Sequence, residues 1–126
     1  EITTAFKTIT PDERITIDEM RDDTSVILAL RDGLVILTGC SDAGICNIVK
    51  HAVELTGIRK IKAIIGGFHL LKASEERIKK TIECLAQHDI DLIAVGHCTE
   101  FKAQVELYLK FKDKFTPFHT GISFTF

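Results

Sequence analysis

The sequence predicts an α/β fold, and three observations carry that reading. Apolar runs of strand length recur at Ser25 to Leu30, Leu34 to Leu37, Lys62 to Ile65 and Leu92 to Val95. Between them the apolar residues change to helical spacing, as at Ile45, Ile48, Val49, Ala52 and Val53. The last three runs are each followed by a glycine-bearing polar loop and then by a helical stretch. Three strand–loop–helix units in a row imply mostly parallel strands joined by right-handed crossovers, with the helices on one face of the sheet.

Taken in order, Arg14 to Asp18 alternates weakly and reads as an edge strand, and Asp22-Asp23 as a turn. Ser25 to Leu30 is a strong strand. Arg31-Asp32-Gly33 reads as a hairpin turn because Asp-Gly supplies positive-φ positions, and Leu34 to Leu37 returns. Ser41 is placed to cap the first helix, and Gly57 ends it. Lys62 to Ile65 is closed by Gly66-Gly67. Ser74 is placed to cap the second helix, whose stripe is Ile78, Ile82 and Leu85, with Glu75, Glu76, Lys79 and Lys80 facing water. Leu92 to Val95 ends at Gly96. Thr99 is placed to cap the third helix, with a stripe of Phe101, Val105 and Tyr108. Phe115 to His119 and Ile122 to Phe126 read as final strands.

At 126 residues, with no linker or repeat, residues 1–126 form a single domain. The chain starts at Glu1 rather than Met, consistent with a segment removed or uncounted upstream. The net charge of −2 and the lack of any basic run argue against nucleic acid as a partner. No apolar stretch approaches the about 20 residues of a membrane span. The cysteines at 40, 46, 84 and 98 fit neither a CxxC zinc pattern nor a tight secreted framework, so reduced thiols in a cytoplasmic protein are expected. All four read first as small, buried hydrophobes, although Cys40 and Cys98 flank the expected site and would be reactive if an adjacent cation or helix N-terminus lowered their pKa.

The chemistry is expected just after the strands, in Gly39-Cys40-Ser41-Asp42, Gly66-Gly67-Phe68-His69 and Gly96-His97-Cys98-Thr99. In a parallel sheet the carboxyl ends of the strands share one edge, where ligands bind. Asp42, His69 and His97 are therefore placed to converge. Two imidazoles and a carboxylate are a competent set for one divalent metal such as zinc, manganese or iron. Each residue alone also has a plainer reading: a surface or hydrogen-bonded histidine, or a first-turn acid favoured by the helix dipole. His51 and His88 read as solvated helix residues. His119 follows or ends a strand and is a weaker candidate for the same edge.

These segments also resemble a family. Gly39-Cys40-Ser41 with Ala43-Gly44-Ile45, then Gly66 to Leu70, then Gly96 to Thr99, are similar in order and spacing to a metal-dependent hydrolase group of the metallo-β-lactamase superfamily. That group includes proteins named as dihydropterin ribofuranosylaminobenzene-phosphate synthases. The resemblance runs from about residue 20 onward and covers only the C-terminal half of such a domain. It implies a two-layer half of an αββα sandwich, mostly one sheet with helices on one face, ferredoxin-like in outline. It also implies metal-ligand roles for positions 42, 69 and 97. The family's His-x-His-x-Asp-His signature is absent, Asp42 stands where the pattern has His, and Glu100 where it has Gly.

The expected function is accordingly a truncated member with an incomplete metal site and no hydrolase activity on its own. The alternatives are a half-domain active with a complementing N-terminal half, or a mononuclear metal-binding protein. A partner is expected too. The strands are nearly continuous apolar runs, as in sheets buried on both faces, and the crossovers cover only one. A homodimer or a complementing chain would cover the other, unless the residues before Arg21 or the tail from Ile122 fold over it.

Overall fold

The computed structural model describes residues 7–126, so Glu1 and the five residues after it lie outside the described residues. Two short strands come first, β1 (Lys7–Ile9) and β2 (Ile15–Ile17), paired antiparallel with each other and fully exposed. The stretch expected as an edge strand is thus half of a separate two-stranded hairpin and joins no larger sheet.

The main sheet has five strands in the order β3 (Ser25–Leu30), β4 (Gly33–Thr38), β5 (Ile61–Gly66), β6 (Ile90–Val95) and β7 (Phe115–Pro117). The β3–β4 pair is antiparallel; the other three pairs are parallel. The hairpin forms as expected, with Leu30 opposite Gly33. The positive φ falls on Gly33 alone, at 143°, and not on Asp32. Between the parallel strands run α1 (Ile45–Thr56), α2 (Glu75–Leu85) and α3 (Phe101–Phe111). Strand order follows chain order, with no strand inserted between parallel neighbours. That separates the topology from a ferredoxin-like outline, in which such insertion occurs.

All three helices share one face, as right-handed crossovers require. Leu34, Ile36, Ile61, Ile64, Ile90 and Ile93 of the sheet meet Ile45, Val49 and Ala52 of α1 and Ile78 and Leu85 of α2. Each fully buried Leu or Ile of this kind contributes about 1.5–3 kcal/mol. The helical stripes of α1 and α2 are those read from the sequence. In α3 the phase differs: Ala103 and Leu107 are buried, while Phe101 and Tyr108 are 79% and 54% exposed. A short alanine side chain lets this helix sit close to the core, and the aromatic residues are left outside.

Two of the three expected caps are also different. Ser74 accepts a hydrogen bond from the Arg77 N–H as expected. The residues flanking the other two helix starts are Gly44 and Glu100, and neither makes a side-chain cap bond. Ser41 and Thr99 are instead used between loops. Gly57 ends α1 in the left-handed conformation, its N–H bonded to the Val53 carbonyl.

The opposite face carries a smaller apolar cluster of Val35, Ala63, Ile65 and Ala94. Phe118 and Phe124 of the C-terminal tail pack against it, together with Leu30, Leu37 and Leu92. The expected strand from Ile122 to Phe126 is not formed. β7 is only three residues long and offers little edge to extend, so the tail covers the sheet by side-chain packing. Val26 and Leu28 on β3 remain 52% and 44% exposed, and Phe126 49%.

At the amino end of the parallel strands lies a charged cluster. Lys60 Nζ is 2.5 Å from Asp91 and 2.9 Å from Asp89, and Lys62 Nζ is 2.8 Å from Asp32. The glycine-bearing loops after β4, β5 and β6 lie at the other end.

Candidate metal centre

Hydrogen bonding continues past the strands and draws the three glycine-bearing loops together. The Gly67 N–H donates to the Gly39 carbonyl at 2.9 Å, and the Gly96 N–H to the Gly66 carbonyl at 3.2 Å. Ser41 Oγ, fully buried, donates to the Gly67 carbonyl at 2.6 Å, and Thr38 Oγ1 reaches the same oxygen at 3.0 Å. Thr99 Oγ1 accepts from the Phe68 N–H at 2.8 Å. The close approach requires glycine at 67. A Cβ there would lie 2.6 Å from Cys98 Sγ and 2.9 Å from the Gly39 carbonyl oxygen. Phe68, buried to 1% exposure, anchors the middle loop in the helix-side core.

Three non-glycine residues of these loops adopt the left-handed conformation: Ser41 at φ 59°, His69 at 49° and His97 at 52°. This region costs an L-residue about 1–2 kcal/mol. Such strain persists where the surroundings over-determine it, and it concentrates at functional sites.

Asp42 and His69 meet. Asp42 Oδ1 is 2.5 Å from His69 Nδ1, with both side chains mostly buried at 24% and 18% exposure. Cys40 Sγ is 3.3 Å from the same nitrogen. Donor atoms of Cys40, Asp42 and His69 all lie within 4.8 Å of one another. His97, exposed, falls into a second group of the same size with Cys40 and Cys98. The expected trio therefore reaches one edge but divides between two clusters, with Cys40 common to both. His51 and His119 are exposed and His88 half-buried, and none of them joins either group.

The cysteines are the residues the sequence reading undervalued. Cys40 and Cys98 are half-buried loop residues and not core hydrophobes. The available signal was their adjacency to the chemistry-bearing positions, two residues before Asp42 and one after His97. Cys98 Sγ accepts from the His69 N–H at 3.2 Å, and its thiol donates to the Cys40 carbonyl oxygen at 3.2 Å. Burial pushes the Cys40 thiol well above its ordinary range, and the neighbouring Cys98 and Asp42 push the same way. It is a protonated thiol at neutral pH, and a bound cation would have to displace that proton.

The donor chemistry fits a divalent transition metal: imidazole, carboxylate and thiol are its usual protein ligands. The geometry adds a condition. Two donors on one tetrahedral zinc, at about 2.0 Å each, sit roughly 3.3 Å apart. The 2.5 Å bond between Asp42 and His69 must therefore open for both to bind one ion.

No family model matches the chain. It is 40% identical over 108 residues to the 7,8-dihydropterin-6-methyl-4-(beta-D-ribofuranosyl)-aminobenzene-5'-phosphate synthase of Methanocaldococcus jannaschii, covering 86% of this chain and 37% of that protein. It is 33% identical over 90 residues to an uncharacterized protein of the same organism, covering 71% and 32%. Its fold is similar to the crystal structure of Tm1679, a metal-dependent hydrolase of the β-lactamase superfamily. There the TM-score is 0.79 at 30% identity, covering 90% of this chain and 44% of that one. The chain thus spans less than half the length of each of these relatives.

Proposed function

We propose, for a chain related in sequence and fold to the metal-dependent hydrolases of the β-lactamase superfamily, that it carries one side of a metal centre and has no hydrolase activity by itself. Asp42 and His69 are donors of that side for one zinc, manganese or iron ion, and His97, at the same edge but grouped with Cys40 and Cys98, completes the trio by turning toward them. The observation that carries this reading is the Asp42–His69 pair, 2.5 Å apart at the carboxyl edge of a parallel sheet. A hydrolytic metal keeps an open position for water and needs a full shell to lower that water's pKa. The His-x-His-x-Asp-His pattern that would complete the shell does not occur in these 126 residues.

The half-exposed apolar residues Val26, Leu28 and Phe126 support a protein partner on the tail-bearing face of the sheet, either a second copy or a chain supplying the complementary half-domain. The latter would also supply the missing histidines. Among the described residues, no helix is long and apolar enough to cross a membrane. The four cysteines, none of them in a disulfide among the described residues, fit a reducing, cytoplasmic compartment.

Two measurements test the reading. The purified chain with added zinc, manganese or iron is expected to show no turnover of phosphodiester, thioester or β-lactam substrates above a heat-treated control. Metal-dependent turnover that disappears in His97→Ala would overturn the inactivity. Isothermal titration with zinc is expected to show a weak site that persists in Cys40→Ser with Cys98→Ser, and binding there unchanged by His69→Ala with His97→Ala would remove these residues from it.

A further inference from the structure

We propose that Cys40, His97 and Cys98 form a sulfur-rich site for a borderline or soft divalent cation of the zinc and cadmium class. It shares His97 with the reading above but rests on the thiols, and it does not require Asp42 or His69. Three observations carry it. The donor atoms of the three residues already lie within 4.8 Å of one another, on two different loops. Tetrahedral zinc, with Zn–S about 2.3 Å and Zn–N about 2.0 Å, holds such atoms roughly 3.5–3.8 Å apart. Small side-chain movements therefore close the site, without a backbone rearrangement.

The second observation is the His69 N–H directed at Cys98 Sγ, 3.2 Å away. A backbone donor aimed at sulfur is the kind of surrounding contact that tunes a metal-bound thiolate, and the bond that the Cys98 thiol donates to the Cys40 carbonyl is given up when a metal takes the sulfur. The third is that glycine at 67 leaves room for both Cys98 Sγ and the His97 ring, whose Cδ2 would be 3.2 Å from a Cβ there. Exposed His97 puts the site where an ion can enter, and the three protein ligands leave a fourth position open.

Binding balances as one divalent cation taken up and two thiol protons released, with the neutral imidazole of His97 as the third donor. No oxidant or reductant is required. Sulfur donors favour zinc and cadmium over manganese, which prefers oxygen.

Cobalt(II) titration of the whole chain tests this, because thiolate ligation gives an ultraviolet charge-transfer band that oxygen and nitrogen ligands do not. The band is expected at one ion per chain and should be displaced by zinc or cadmium. It should persist in Asp42→Asn with His69→Gln, which would weaken only the site of the proposed function. Cys40→Ser and Cys98→Ser should each lower the affinity at least tenfold, with circular dichroism confirming that the variants fold. In the unaltered protein, cadmium should protect two of the four thiols from an aromatic disulfide reagent, a readout that needs no variant. Absence of the band, its survival in both cysteine variants, or its loss in the Asp42 and His69 double variant would each overturn the assignment.

Discussion

Ser41 Oγ donates to the carbonyl oxygen of Gly67 at 2.6 Å, joining the loop after β4 to the loop after β5. The bond fixes where Asp42 emerges relative to His69. Thr38 also serves the Gly67 oxygen, so removing the serine hydroxyl leaves that acceptor satisfied. Ser41→Ala is therefore expected to cost about 1 kcal/mol of unfolding free energy and no more. Urea denaturation measures it; a loss above about 3 kcal/mol would mean that the hydroxyl has a larger role than loop tethering.

Phe68 is a large buried side chain between Gly67 and His69 in sequence, and its anchoring holds His69 at the site. Phe68→Ala should cost about 3–5 kcal/mol, through lost transfer energy and the cavity left behind. Zinc affinity should fall with it, even where the variant remains folded. Equal affinities in variant and parent would show that the loop holds its shape without the anchor.

Gly67→Ala tests the close packing of the loops. Its Cβ would meet Cys98 Sγ at 2.6 Å and the Gly39 carbonyl at 2.9 Å, and the carbonyl belongs to backbone that cannot simply rotate away. Overpacking of this kind costs about 1–3 kcal/mol. The thiolate charge-transfer band should weaken more than in Gly57→Ala, where a Cβ meets nothing within 4 Å and the strain of a φ of 71° falls at the end of α1 instead of in the site loops.

The charged cluster at the amino end of the strands gives a pH dependence with a definite sign. Hydrogen bonding to Lys60 lowers the Asp91 pKa, and hydrogen bonding to Lys62 lowers that of Asp32. The same bonds raise Lys60 and Lys62. A depressed carboxylate stabilises the fold above its unfolded pKa of about 3.9 and loses that contribution as pH falls through the lower folded value. A raised lysine contributes below about 10.4 and loses it as pH rises further. Lys60→Met with Lys62→Met should therefore differ from the parent across the neutral range. The two stability curves should converge as the pH falls through the depressed folded values of Asp91 and Asp32. The effect should be small and shrink with salt, because Asp32 is exposed and Lys60, Lys62 and Asp91 are only half-buried. A difference that persists at acid pH would assign it to packing by the lysine stems.

Most of the sheet was legible because strand length and helical spacing report burial directly. Ile61–Gly66 and Ile90–Val95 fall within two residues of the runs read from the sequence. The sites after the strands were legible for the same reason, since topology alone places strand ends at one edge. What local pattern does not encode is which partner a side chain chooses. Ser41 and Thr99 have capping chemistry at capping positions, yet neighbouring loops offer buried backbone groups, and their hydroxyls serve Gly67 and Phe68. The pairing of His97 with Cys98 and Cys40, and not with Asp42, depends on angles between loops that spacing does not carry. The phase of α3 was hidden because Phe101 and Tyr108 are among the bulkiest residues there, and bulk is a poor guide when a close contact selects alanine.

The left-handed backbone at His97 sets durability against chemistry. Glycine would occupy that conformation without the steric penalty, which is about 1–2 kcal/mol for other residues. His97 is exposed, so its replacement sacrifices little packing. His97→Gly should consequently melt at a higher temperature than the parent while binding cobalt more weakly. A chain kept for its endurance alone would be expected to carry glycine there, and this one carries an imidazole.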